Sequence, residues 1–391
     1  MEGDFIKIND WLLPLSWIYG AGVRLRNQMF EMGMLKSRSF DIPVISVGNI
    51  TVGGSGKTPH VEYLINLLRD KVKVAVLSRG YKRKSKGYML ATADTPMSDI
   101  GDEPYQMKKK FADIYVAVDK DRCHGIDQLT ANEETSDTDV ILLDDAYQHR
   151  YVNPGVNILL VDYHRLIMYD KLLPAGRLRE PQKGKARADI VIVSKCPADL
   201  KPMEFRVLTK AMNLFPYQKL YFTTLKYGSL RPIYGGEDRK LDTLTGDTSI
   251  LLLTGIASPQ QMIVDLKPYT ERITPLTFPD HHQYTDADID RINAEFEAMK
   301  GNDKMIVTTE KDNARLCGME GLSDEVKKNI YVLPVEVGFM LDQEEDFNEN
   351  IIGYVRKNSR NSILAKAKDD NKSDNSDNSG NRTRTISFRN N

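Results

Sequence analysis

Along this chain, short and almost wholly apolar runs alternate with longer stretches whose apolar positions repeat at helical spacing. The runs fall at residues 42–48, 73–78, 114–118, 140–143, 156–162 and 190–194. Runs of this length, apolar on both faces, predict buried strands, and the helical stretches between them predict the crossovers of a parallel sheet. Val61-Glu62-Tyr63-Leu64-Ile65-Asn66-Leu67-Leu68 is one such helix. In a sheet of this kind ligands gather at the carboxyl ends of the strands.

The rhythm breaks at residues 218–236. Leu220 to Leu225, then Gly228-Ser229, then Leu230 to Tyr234 predict a two-stranded ribbon that joins two domains. Strand and helix signals resume at Ser249 to Gly255, with further strands at Met305 to Thr308 and from Ile330 to Val335. From Lys366 to Asn391 the chain is rich in Asp, Asn, Ser, Lys and Arg with almost nothing apolar, which predicts disorder. The divisions are an N-terminal helix over 1–38, a core domain over 39–217, the ribbon over 218–247, a smaller α/β domain over 248–360 and a tail over 361–391.

The N-terminal segment has its own pattern. On a helix Trp11, Leu15, Ile18, Gly22, Leu25, Met29 and Met32 form one stripe, with Arg24, Asn27 and Glu31 off it, and both tryptophans of the chain lie here. Such a stripe suits either a helix lying in a membrane interface or one packed on its own domain. No stretch reaches the eighteen or so apolar residues of a spanning helix.

Bulk composition narrows the class. The chain has 391 residues and a formal net charge of −1, so no global field argues for nucleic acid. Cys123, Cys196 and Cys317 show neither paired nor metal-ligand spacing, which suits packing in a reducing compartment. Met1-Glu2-Gly3-Asp4 lacks the basic flank of a secretory signal.

The most informative string is Asn49 to Thr58, which follows the first apolar run and precedes a helix. In that context Gly53, Gly54, Ser55 and Gly56 let backbone N–H groups curl around phosphates. Lys57 neutralises the β and γ oxygens, Thr58 offers a hydroxyl to Mg²⁺, and the helix N-terminus adds a favourable dipole. The chain thus handles ATP or GTP, although Thr51 stands where this loop ordinarily has glycine. Val140 to Asp145 is an apolar strand ending in the paired acids Asp144 and Asp145, which beside such a loop predicts a Mg²⁺ site. The expected fold is therefore α/β: a P-loop NTPase-like, mostly parallel sheet with helices on both faces, plus the smaller C-terminal domain.

Asp102 and Glu103 sit at a predicted helix start, where Asp102 is either a cap or a general base for an acceptor hydroxyl. Phe278-Pro279-Asp280-His281-His282 places two histidines side by side. Adjacent side chains rarely converge on one ion, so a histidine tuned by an Asp fits better than zinc. Arg177 and Arg179 lie on a loop, either as a phosphate clamp or solvated. Thr309 with Asp312 reads as a capping box.

Taken together, Val47-Gly48-Asn49 through Pro59, Ser78-Arg79-Gly80-Tyr81, Gly101-Asp102-Glu103-Pro104, Asp121-Arg122, Asp144 to His149, Leu172 to Pro181, Phe278 to His282 and Thr308 to Asp312 resemble the tetraacyldisaccharide 4′-kinases of lipid A biosynthesis. That family's phosphate loop also lacks the first glycine. The chain departs from the family pattern at Ala146-Tyr147 and Arg177, which bears on fine substrate positioning.

The resemblance implies transfer of the ATP γ-phosphoryl to the 4′-hydroxyl of a tetraacyldisaccharide 1-phosphate. The enzyme would be a monomer held peripherally on the cytoplasmic face of a Gram-negative inner membrane, which favours the interfacial reading of the N-terminal helix. By analogy Asp102 is the base, assisted by His281; Lys57, Thr58 and Asp145, with Asp144, hold triphosphate and Mg²⁺; and Asn49, Arg79, Arg122, Gln148, His149, Arg179 and Glu180 bind substrate. The rival reading is a membrane-associated P-loop ATPase switch, which would need a protein partner and no disaccharide. A GTPase fits less well, because Ser194-Lys195-Cys196-Pro197 lacks the Asn and Asp of a guanine-reading motif.

Overall fold

In the computed structural model, which describes residues 8–256, 259–316 and 318–359, the predicted strands assemble around one large sheet. In chain order the strands are β1 (Val44–Gly48), β2 (Val74–Ser78), β3 (Met89–Leu90), β4 (Tyr115–Val118), β5 (Val140–Asp144), β6 (Val156–Asp162) and β7 (Ile190–Ser194). They continue as β8 (Lys219–Tyr227), β9 (Arg231–Pro232), β10 (Ser249–Thr254), β11 (Ile273–Thr277), β12 (Lys304–Thr309), β13 (Ile330–Leu333) and β14 (Val335–Phe339). The tail expected over 361–391 and Cys317 lie outside the described residues.

The large sheet has nine strands in the order β14-β8-β7-β6-β1-β5-β2-β4-β3, parallel except for its two edge strands. Its central strands β1, β2, β5 and β7 are buried at every position, which is why they read as unbroken apolar runs. Register places Val47 beside Asp144, so the phosphate loop and the acid pair leave the sheet side by side. Helices cover both faces: Val61, Leu64, Ile65 and Leu68 pack into one core cluster, while Ile126 and Leu129 pack into another on the opposite face.

A second sheet, in the order β11-β10-β12-β13-β9, is parallel except at β9. The two-stranded connection between the sheets exists, but its pairing differs from the local ribbon expected over 218–236. Strand β8 joins the large sheet beside β7 and β14, and β9 joins the small sheet beside β13. Two antiparallel segments thus run between the sheets, tied where the Gly228 N–H donates to Pro334 O at 3.0 Å. A local ribbon would have left β8 with unpaired edges, whereas β14 satisfies its hydrogen bonds over five residue pairs.

The boundary drawn for the smaller domain, 248–360, is also corrected at its end. After Pro334 the chain returns to the large sheet, and the helix Glu344–Asn358 buries Phe347, Ile351 and Val355 against Ile45 and Tyr221. Burying those three side chains contributes on the order of 5 kcal/mol, enough to fix where this segment belongs.

The N-terminal helix, Leu13–Glu31, settles on the loops after β5 and β6 through small and polar residues. Ser16 Oγ donates to Leu172 O at 3.0 Å, Tyr19 Oη donates to Arg179 O at 2.7 Å, and a Cβ added at Gly20 would meet Leu172 Cδ1 at 2.7 Å. The apolar stripe therefore faces outward. Trp11 is 94% exposed, Trp17 72% and Ile18 71%, an unusual cost for a surface unless something apolar covers it. No helix among the described residues is long and apolar enough to cross a membrane.

Candidate active site

The carboxyl end of β1 runs into the loop Asn49 to Gly56 and then the helix Lys57–Leu68. Gly53 and Gly56 take φ of 116° and 76°, conformations that let the chain curl and turn its N–H groups inward. Asn49 Nδ2 donates to Ser55 Oγ at 2.8 Å, and Ser194 Oγ donates to Ser55 O at 2.9 Å. Lys195 Nζ donates to Gly54 O and pairs with Asp162 at 2.8 Å. The segment weighed as a base reader thus braces the phosphate loop. Thr51 forms a bridge with Leu178, flanked by Val52 N to Arg177 O and Arg179 N to Ile50 O, both 2.8 Å. Extended and paired, position 51 has no need of glycine.

Beside the loop stand Asp144 and Asp145. Lys57 Nζ is 3.6 Å from Asp145 Oδ1, and Arg179 Nη1 is 3.4 Å from the same carboxylate. Burial raises the Asp145 carboxyl, but Lys57 and Arg179 outweigh it and hold the group below its ordinary value. Asp144 has no ion pair: burial, then the neighbouring charge of Asp145, outweigh Lys57 and Arg122 and push it up to about 6, and among the described residues only Ser78 Oγ donates to its carboxylate, at 3.3 Å. Two adjacent buried carboxylates, one short of positive charge, with the Thr58 hydroxyl on the same wall, fit a hard divalent cation.

The substrate candidates divide by what they touch. Arg79, Arg122, Gln148, His149, Arg179 and Glu180 line, with the loop and the acid pair, one cleft of about 1060 Å³. Arg122 is buried, its Nε has no partner, and burial lowers its guanidinium to about 10. His149, lowered to about 4 by burial and then Arg122, is a neutral imidazole. Glu180 lines the cleft, yet Arg187 Nη2 holds both its oxygens at 2.8 Å and Gln148 Nε2 donates to it at 3.1 Å. Asn49 stands one layer back, fully buried as the brace of the loop.

The opposite wall joins the two sheets. Gly101, at φ 91°, turns the chain into the helix Asp102–Lys110, and His281, at φ 58°, projects from the loop after β11. His281 Nδ1 lies 2.8 Å from Asp102 Oδ2. The same oxygen accepts from Arg315 Nη2 at 2.5 Å and Nε at 3.2 Å, with Lys311 Nζ 3.6 Å away. Burial alone would raise Asp102, but the His281 bond, a hydrogen bond with the Glu103 carboxyl, Lys311 and Arg315 together hold it far below the carboxylate range. Asp102 itself does not reach the cleft wall; His281, Glu103 and Lys311 do.

Glu103 is driven the other way, up to about 7, by burial and then by Asp102, although Lys311 Nζ donates to it at 2.7 Å. The neighbouring His282 turns aside to Asp288 at 2.9 Å, so the two adjacent histidines do not converge. Thr309 and Asp312 cap each other as expected, at 2.7 and 3.0 Å.

Sequence reasoning missed Lys311 and Arg315. Both lie in the helix Glu310–Leu316, Lys311 inside the string Thr308 to Asp312 that had been singled out and Arg315 just beyond it, and the spacing of Asp312 and Arg315, one helical turn apart, was the available signal.

The family model described as tetraacyldisaccharide-1-P 4′-kinase (LpxK) matches residues 8–356. The chain belongs to that family. A tetraacyldisaccharide 4′-kinase of Phocaeicola vulgatus is 61% identical over 363 residues, covering 93% of this chain and 99% of its own length. One from Bacteroides thetaiotaomicron is 54% identical over 373 residues, covering 93% and 98%. Among solved structures, the fold is similar to LpxK from Aquifex aeolicus in complex with ATP, with a TM-score of 0.66 and 31% identity over 88% of this chain and 98% of that one. Membership of this kinase family gives the phosphate loop its ligand and the fold its class, a large mostly parallel sheet with a second smaller one.

Proposed function

We propose that this kinase transfers the γ-phosphoryl of ATP to the 4′-hydroxyl of a tetraacyldisaccharide 1-phosphate, inside the cleft between the phosphate loop and His281. The observation that carries the reading is the shared cleft: Lys57, Thr58, Asp144 and Asp145 line one wall and His281, Glu103 and Lys311 the other. A hydrolytic switch could use the same walls with water as the acceptor; the family to which the chain belongs, named for a disaccharide acceptor, favours the kinase reading.

In this reading Lys57 and the loop amides hold the triphosphate, with Arg79 and Arg122 supplying positive charge where negative charge develops during transfer. Thr58, Asp144 and Asp145 would hold Mg²⁺, which supplies charge neutralisation on the phosphate oxygens. The roles of the catalytic pair are reversed from the expectation that Asp102 is the base. A carboxylate only accepts hydrogen bonds, so Nδ1 of His281 carries a proton toward Asp102, and in the neutral ring Nε2, 3.7 Å from Asp280 Oδ2, is the nitrogen with the free lone pair. His281 takes the acceptor's proton, and Asp102, tied to Arg315, orients the ring and stabilises the imidazolium.

The outward Trp11, Trp17 and Ile18 lie in a membrane interface, with Arg24 near anionic head groups on the cytoplasmic leaflet, so the acceptor's acyl chains stay in the bilayer while its sugar enters the cleft. The enzyme acts as a monomer. Incubation with γ-labelled ATP and tetraacyldisaccharide 1-phosphate in mixed micelles should place label on the lipid; release of inorganic phosphate alone would return the chain to the switch reading.

A further inference from the structure

Beside the cleft, at His149, three donors of different chemistry meet. A carboxylate oxygen of Asp121, the thiol sulfur of Cys123 and a ring nitrogen of His149 all lie within 4.8 Å of one another. We propose that these three side chains form a binding site for a thiophilic divalent cation, Zn²⁺ by its donor set, and that occupancy slows phosphoryl transfer.

The donors come from two rigid segments. Asp121 caps the helix Arg122–Ala131 by accepting from the amides of Cys123 and His124 through Oδ1, which leaves Oδ2 for a ligand. His149 sits in a turn closed by His149 N to Ala146 O at 2.8 Å, and its Nε2 is buried with no hydrogen-bond partner. A buried ring nitrogen left unpaired carries a desolvation cost that an ion would remove. Cys123 Sγ donates to Tyr151 O at 3.4 Å; on metal binding that proton leaves to solvent and the sulfur becomes a thiolate ligand.

Charge and size both fit. Carboxylate, thiolate and neutral imidazole balance one dication, so nothing uncompensated is buried. Tetrahedral zinc with bonds of about 2.0–2.3 Å sets its ligand atoms roughly 3.3–3.8 Å apart, so the trio closes by about 1 Å of side-chain rotation. His149 also lines the catalytic cleft. Fixing this ring to a cation removes it from service in the cleft.

A second trio, Asp102, Glu103 and His281, also has donors within 4.8 Å of one another. There Arg315 and Lys311 already neutralise the carboxylates, and no sulfur is present. Sulfur is the discriminator between the two places.

The test is titration of the full chain with Co²⁺ and Zn²⁺ in excess Mg²⁺, which prefers oxygen donors and leaves a thiolate site free. One Co²⁺ per chain should produce the near-ultraviolet thiolate-to-cobalt charge-transfer absorption. Cys123→Ser should abolish that absorption and weaken Zn²⁺ binding at least about tenfold, and Asp121→Asn, which keeps the cap, should weaken it comparably. Zn²⁺ should inhibit label transfer to lipid in the parent and less so in Cys123→Ser, with melting temperatures of the metal-free variants unchanged. Absence of the thiolate band, or equal Zn²⁺ affinity and inhibition in parent and Cys123→Ser, would overturn the site.

Discussion

His281 Nδ1 is bonded to Asp102 Oδ2 at 2.8 Å although 179 residues separate them and they belong to units built on different sheets. The bond exists because Gly101 and His281 each adopt a positive φ that aims the two side chains at one another, and because Arg315 fixes the carboxylate from behind. A pair assembled this way should behave as one device. His281→Ala and Asp102→Ala should each lower kcat by about two to four orders of magnitude with ATP still bound, and the double variant should be scarcely worse than either. Losses that multiply would mean separate roles.

Lys57 and Thr58 open the helix that faces the acid pair. Lys57→Ala and Thr58→Ala should each reduce transfer by roughly a thousandfold or more, since charge neutralisation and metal placement each supply several kcal/mol in phosphoryl transfer. Label transfer by a folded Lys57→Ala protein at near-parent rate would remove the phosphate loop from the mechanism.

His60, just inside the same helix, is wholly enclosed. Its Nδ1 donates to Gly56 O at 2.7 Å and its Nε2 accepts from Thr223 Oγ1 at 3.0 Å, and burial lowers the ring to about 4. The unfolded chain takes up a proton near pH 6.5 that the folded chain refuses. Stability should thus fall as pH drops from about 6.5 toward 4, by up to about 3 kcal/mol for this residue. Urea unfolding across that window should show the slope, and His60→Asn should flatten it by about one proton; an unchanged slope would mean the ring titrates freely.

The N-terminal helix offers the fourth measurement. Trp17→Glu together with Ile18→Glu should weaken sedimentation with anionic phospholipid vesicles while transfer to a micelle-dispersed acceptor persists, because the inner contacts of Ser16 and Tyr19 are untouched. Unaltered vesicle binding would assign the exposed face another partner.

The parallel sheet was legible because its strands are buried on both faces, so their apolar runs stand out without any tertiary information. The phosphate loop was legible because Gly53, Gly56, Lys57 and Thr58 each answer a local requirement. What escaped was non-local. The partner of β8 lies beyond residue 330, and nothing in Leu220 to Tyr234 encodes it. Strand β11 went unseen because most of Ile273–Thr277 is exposed, with only Leu276 buried, and carries a proline. The protonation roles of Asp102 and Glu103 depend on Arg315 and Lys311, residues more than two hundred positions away.

The small sheet enters and leaves the chain at Gly228 and Pro334, which are bonded to each other. Its residues are thus an insertion between neighbouring antiparallel strands, β8 and β14, of a sheet already complete without it. The phosphate loop is housed in the part that surrounds the insertion, and His281, the proposed proton acceptor, in the insertion itself. On the proposed roles, the phosphate loop and His281 belong to different units joined through Gly228 and Pro334, so a change in how the inserted unit sits against Asp102 would alter proton transfer while leaving the phosphate loop intact.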